Sequence, residues 1–247
     1  MWPTWDITLL VFAAAFLEGA AGIDFGLVAT PALGALVGVR DSVLTLSLPN
    51  LILVAIRAIG GGVPTPSLKR LMPYLGAGAA GAAVGVLTLI SSPPTFLKWS
   101  VGVLVLLFAI YSISRQRVQL DMRDETFFTY LAGFFAGGLS GFSYAGNPIS
   151  IMYLDSTGAG RARMMRLTYT SALVFASVQI AILSGSGALG AFESARSAVS
   201  ILPAVAGFLM GRLIRGSIPP ALGYASGLGL MIAAALALLI FGPSGWK

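Results

Sequence analysis

Two acids stand where lipid tails belong. Glu18 and Asp24 lie inside an apolar run from Ile7 to Val39, within the stretch Glu18–Gly26, EGAAGIDFG. An ionisable group at membrane depth is costly enough to mark an ion or substrate path. Each acid has two readings. Asp24 either caps a half-helix by accepting a backbone N–H, or takes up protons and couples their movement to that of an anion. Glu18 is either a second proton site or a structural acid bonded to hydroxyls. A second stretch, Phe135–Pro148 (FAGGLSGFSYAGNP), has the same glycine-rich character and the side-chain donors Ser143, Tyr144 and Asn147.

A helix that restarts after a break exposes unpaired N–H groups carrying partial positive charge, and such groups bind anions. Glycine lets a backbone approach a ligand closely, although each glycine here also suits plain helix packing. The predicted ligands of a small anion are therefore Gly22, Asp24, Gly26, Gly141, Ser143, Tyr144, Gly146 and Asn147. Asn50, Thr170 and Ser171 fall on the spans that follow the breaks. They either line the site or bond between helices, and the same holds for Gln179. Arg57 either snorkels to the membrane surface or attracts anions toward the site.

Other chemistries are poorly supplied. The chain has no cysteine and no histidine, which removes thiolate chemistry, the usual neutral-pH proton shuttle and the commonest metal ligand. It has no HExxH, no GxxxxGK[ST] and no G-x-S-x-G. No metal, no cofactor and no catalytic residue is expected, so the chain reads as no enzyme and no ATP-driven pump.

The elements that must hold these residues are membrane helices. Of 247 residues, 57% are hydrophobic and 10% charged, against roughly 25% charged in a soluble domain. Apolar stretches approach the roughly 20 residues of a membrane span. The predicted fold is an all-α polytopic membrane protein in two repeats. The first repeat, 1–120, has a broken or re-entrant hairpin at 7–39 and helices at 43–59, 71–90 and 95–113. The second, 121–247, has a hairpin at 127–154 and helices at 167–183, 197–214 and 219–241. Arg40-Asp41 reads as a tight turn, and Asp155–Arg166 and Ser184–Arg196 as loops. The repeat shows in sequence: Phe16, Gly19, Gly22 and Phe25 align with Phe135, Gly138, Gly141 and Tyr144, 119 residues on. Gly81 and Gly85, one turn apart, make a small-xxx-small stripe, and such faces permit a homodimer.

The net charge of +6 sits in short loops, so it reads as a topology signal and not as a nucleic-acid surface. If each broken element crosses once, eight Lys and Arg fall on one side and seven on the other, with Arg196 opposite Arg40. If each is a hairpin that dips in and returns, the division is 11 to 4, with Arg40, Lys98, Arg196 and Lys247 on the sparse side. The hairpin version follows the positive-inside rule. It predicts periplasmic termini, a cytoplasmic mid-chain basic loop, halves in opposed orientation and tips that meet near the midplane. The N-terminus lacks a basic n-region, so the first segment is expected to remain, with Trp2 and Trp5 as interfacial anchors.

Two halves that each open on a glycine-rich break, GAAGIDFG and GGLSGFSYAGNP, with a short polar pair in the next span, resemble the sulfite exporter TauE/SafE family. The resemblance covers nearly the whole chain. It implies a bacterial inner-membrane transporter of small sulfur-containing anions such as sulfite, thiosulfate or sulfoacetate. The chain departs from the family pattern in two places. Asp24-Phe25 and Ser143-Tyr144 stand where members carry more glycine, and Leu48–Asn50 and Tyr169–Ser171 where many show Ala-Thr-Ser. The expected function is a secondary transporter working by alternating access, with the lipid bilayer and a small anion as its partners. An anion channel and a non-transporting membrane assembly protein are the alternatives.

Overall fold

The computed structural model describes residues 5–59, 65–114, 125–158, 160–217 and 219–243. Trp2, Lys247 and the mid-chain basic residues Arg115, Arg117 and Arg123 lie outside them, as do the side chains of Lys69 and Arg70. All regular structure among the described residues is helical: α1 (Trp5–Ala21), α2 (Phe25–Val37), α3 (Val39–Ile59), α4 (Thr65–Ser91), α5 (Pro94–Ser114), α6 (Glu125–Ser143), α7 (Asn147–Ser156), α8 (Arg161–Gly185), α9 (Ala191–Val199), α10 (Ile201–Ile214) and α11 (Pro220–Phe241). Five stretches are long and apolar enough to cross a membrane: α3, most of α4, α5, α8 and the α9–α10 pair. This is a multi-pass membrane protein.

Three loop expectations need correction. Arg40 and Asp41 lie inside α3, and the reversal falls one step earlier, at Gly38 with φ +90°. Arg161, Arg163 and Arg166 ride on the first turns of α8, because arginine, alanine and methionine form helices well even where hydropathy is low. Of the Ser184–Arg196 stretch, Ser184 and Gly185 end α8 and only 186–190 is a loop; α9 follows, a short amphipathic helix too polar to read as a span.

The helices gather into two compact units. One holds α1, α2, α3 through Leu53, α5, α9, α10 and α11; the other holds the end of α3 with α4, α6, α7 and α8. Each unit thus draws on both halves of the sequence.

In the first unit, α1 runs parallel to α10. Gly207 lies against the Phe12 carbonyl, Gly211 against Phe16, and Gly22 beside the Arg215 side chain. Helix α2 runs parallel to α11: Ile23 touches Gly227, Gly34 faces Leu238, and Gly38 faces Pro243. Arg196 of α9 donates to the Asp41 carbonyl at 3.1 Å, so the α9–α10 pair starts where α2 and α11 end. Hence α1 starts and α2 finishes at the same end of the unit. The first broken element is a hairpin.

The same end carries the sparse-side cations. Arg40 donates to Ser92 O (3.2 Å), Lys98 to Gly242 O (2.7 Å), and Arg196 lies 3.6 Å from the Asp41 carboxylate. An eight-crossing chain would separate Arg196 from Arg40, and the Arg196–Asp41 pair contradicts it.

In the second unit α6 lies parallel to α4. Gly133 packs on Tyr74, Gly137 on Gly78, Gly81 on Phe134, and Gly85 on Gly138, backbone against backbone. The α4 glycine stripe is thus covered by α6 of the same chain. Helix α7 then returns antiparallel to α6. The Tyr153 hydroxyl bonds the Thr129 hydroxyl at 2.7 Å, and Gly146 sits against Ala136 and Ser140. The second broken element is also a hairpin.

Pro49 removes an N–H from the middle of α3 and crowds the carbonyl one turn before it. The Ser197 hydroxyl of α9 repairs the region: it accepts the Leu48 N–H at 3.0 Å and bonds the Ser47 hydroxyl at 3.2 Å. Ser197→Ala should lower the protein's stability by about 1–2 kcal/mol, read as earlier thermal unfolding in detergent. Ser200→Ala breaks only a bond to Arg196 of the same segment and should have the smaller effect.

Candidate functional site

The two breaks share one design. Helix α1 ends as the Gly22 N–H bonds Glu18 O at 3.0 Å with Gly22 at φ +75°. Helix α6 ends as the Tyr144 N–H bonds Ser140 O at 3.0 Å with Tyr144 at φ +61°. Both are left-handed helix stops with one bond back to the carbonyl four residues earlier. Gly22 and Tyr144 are 122 residues apart, as are the starts of α3 (Val39) and α8 (Arg161). The structural correspondence therefore differs by three residues from the 119-residue alignment. Glycine-rich helices match at several registers spaced by about one turn, and the sequence favoured the neighbouring one.

The first break is Gly22–Asp24, and α2 starts at Phe25. Ile23 meets α11 at Gly227, two turns past that helix's start. Here the protein supplies its own acceptors. Glu18, buried to 2%, accepts the Phe25 N–H on Oε1 at 3.2 Å. Asp24 is the N-cap of α2 and accepts the Gly26 N–H on Oδ1 at 3.0 Å. The capping reading of Asp24 is thus observed, and Glu18 bonds a backbone N–H across the break. The first N–H groups of α2, Gly26 among them, are already engaged.

The second break is Tyr144–Gly146, and Gly146 caps α7 with no side-chain hydrogen bond. Pro148 in the first turn brings no N–H, and its fixed φ suits a helix start. Ser143, Tyr144, Ala145 and Gly146 are all buried, while Asn147 is partly accessible. Gln179, buried to 1%, donates Nε2 to Gly141 O at 3.0 Å and bonds the Tyr144 hydroxyl. Beside it runs a chain of hydroxyls: Tyr74 bonds Ser150 at 2.7 Å and also reaches Ser171.

The residues on the following spans divide. Thr170 donates to Arg166 O (2.9 Å) and Ser171 to Thr168 O (2.9 Å), so both hydroxyls are turned back on their own helix. Ser171 also links to α4 through Tyr74. Asn50, on α3, is 6% exposed. The Arg57 guanidinium lies over the Tyr169 ring, 4.5 Å from its centroid, a cation–π contact that holds it beside α8.

The sequence model of one protein family, Sulfite exporter TauE/SafE, matches residues 7–243. The chain belongs to that family. No curated protein and no solved structure matches it. As a TauE/SafE protein it is a membrane transport protein. Asp24 provides a cap that glycine cannot, and Tyr144 occupies a conformation where glycine would be at ease.

Two features of this TauE/SafE protein escaped the sequence reading. Arg215 reaches the Gly22 tip from just beyond α10, and only the parallel packing of α1 on α10 brings it there. Tyr74 joins the Ser150 hydroxyl from α4, at a distance of 76 residues in the chain, with no local pattern to announce it.

Proposed function

We propose that this protein is a secondary transporter that moves a small sulfur-containing anion across the inner membrane by alternating access. Sulfite, thiosulfate and organosulfonates such as sulfoacetate form the substrate class. One observation carries the assignment of sites: α2 starts with its N–H groups taken by Glu18 and Asp24, whereas α7 starts at Gly146 without a side-chain cap. The second break is then the one that receives the substrate anion. Backbone N–H groups at the start of α7, with Asn147, act as neutral donors, while the Ser143 hydroxyl donates to Leu139 O at 3.4 Å.

The first break is the ion-coupling element. Its acids, Glu18 and Asp24, take up protons while the substrate is carried, and Arg57 draws anions toward the path. The 11 to 4 charge division supports periplasmic termini, a cytoplasmic basic loop and opposed halves.

Binding is tested by thermal stabilisation of the purified protein, since a ligand that binds only the folded state raises apparent stability. Sulfite or another sulfur anion should stabilise it, and chloride should not. Asn147→Ala should weaken that response by about tenfold in apparent affinity, the usual scale for a lost hydrogen bond to a charged group. Stabilisation by chloride and sulfite alike would point to a non-selective anion path.

A further inference from the structure

We infer that Gln179 is the residue that positions the second break: it holds Tyr144 left-handed and thereby fixes Ala145, Gly146 and the start of α7. This rests on the reading of the second break as the anion site. At the first break the left-handed stop is Gly22, which has no Cβ to clash. At the second it is Tyr144, and an L side chain persists in that region only where its surroundings hold it.

What holds it is visible. The last carbonyls of a helix have no partner of their own, and Gly141 O is one of those ending α6. Gln179 donates to it at 3.0 Å and hydrogen-bonds the Tyr144 hydroxyl with the same amide. One buried side chain of α8 therefore ties down both the end of α6 and the residue that turns the chain. The first break is tied by two carboxylates instead, Glu18 and Asp24. The position 122 residues before Gln179 is Arg57, whose guanidinium rests on Tyr169. The tie that Gln179 makes at the uncapped tip is thus a neutral amide, where the first break uses carboxylates.

The absence of cysteine allows a direct test. A145C provides a single thiol at the tip, at a residue 1% exposed in the native protein. Its alkylation rate by a membrane-permeant maleimide is measured with and without Q179M. In parallel, the KM and Vmax for sulfite uptake into proteoliposomes are measured for the cysteine-free Q179M, Y144F and Y144G proteins and for the Y144G/Q179M pair. Q179M should speed alkylation at least about fivefold and raise KM roughly tenfold, with Vmax within about twofold. Y144F, which keeps the ring and loses one bond, should raise KM by less. In Y144G the backbone needs no holding, so adding Q179M should change KM and alkylation by less than about twofold. Equal effects of Q179M with Tyr144 and in Y144G would overturn the proposal, as would lower stability with alkylation and KM unchanged. If the native protein takes up no sulfite while Q179M still speeds alkylation, the positioning role stands and the anion reading falls.

Discussion

Gly137→Leu should leave no folded protein. Gly137 lies against the carbonyl and Cα of Gly78, so any side chain there must push α6 off α4. The neighbouring contacts are of the same kind: Gly81 on Phe134, Gly85 on Gly138, and Gly141 on Ala82. Backbone cannot rotate aside as a side chain can, so the damage spreads along the parallel pair. The cost should be at least about 3 kcal/mol, the upper end of ordinary overpacking. The same pair carries the second break, because α6 ends in it. Gel filtration of detergent extracts should show no monodisperse peak for this variant. Gly76→Leu is the control: it lies on α4, the partner helix of the same pair, with nothing within 4 Å of an added Cβ, and should behave as the native protein does.

The second large effect is at Glu18, where two substitutions separate structure from coupling. Glu18→Ala strands the buried Phe25 N–H, which now bonds Oε1 at 3.2 Å. It should cost about 2–3 kcal/mol and abolish transport, because an unsatisfied donor at membrane depth bears its full desolvation penalty. Glu18→Gln keeps an acceptor oxygen at the same reach and should stay within about 1 kcal/mol of the native stability. If Glu18 carries protons, the Gln variant should still bind the anion but no longer respond to an imposed pH gradient in proteoliposomes. A full response in that variant would assign Glu18 a structural role alone and leave coupling to Asp24.

Much of this was legible along the chain. The breaks at Gly22 and Tyr144 were visible as glycines and polar residues inside apolar runs, and each lies where the glycine pattern put it. The distribution of Lys and Arg favoured hairpins over single crossings, and the Arg196–Asp41 contact at 3.6 Å puts those two residues at one end of their unit. Local pattern failed where hydropathy and helix propensity disagree. The arginines of α8 and the polar α9 are helical although they look like loops. It failed again where partners come from remote elements. The Leu48 N–H freed near Pro49 is taken by Ser197, 149 residues away, and no spacing rule connects them. The role of Gln179 was hidden for the same reason: an amide on an apolar helix is equally suited to bonding any neighbour, and only the fold sets it against Gly141 and Tyr144.

The central claim is that the anion is carried, and that it binds where α7 starts. Counterflow in proteoliposomes tests this most directly: vesicles preloaded with unlabelled sulfite are diluted into a trace of labelled sulfite, and the label inside is followed. A carrier exchanges the two through one site, so the label should overshoot its equilibrium level, saturate with sulfite concentration, and be strongly reduced in Asn147→Ala. A label that only equilibrates, without overshoot or saturation, would contradict the account and indicate a channel. An overshoot unchanged in Asn147→Ala would keep the carrier and move its site away from the second break.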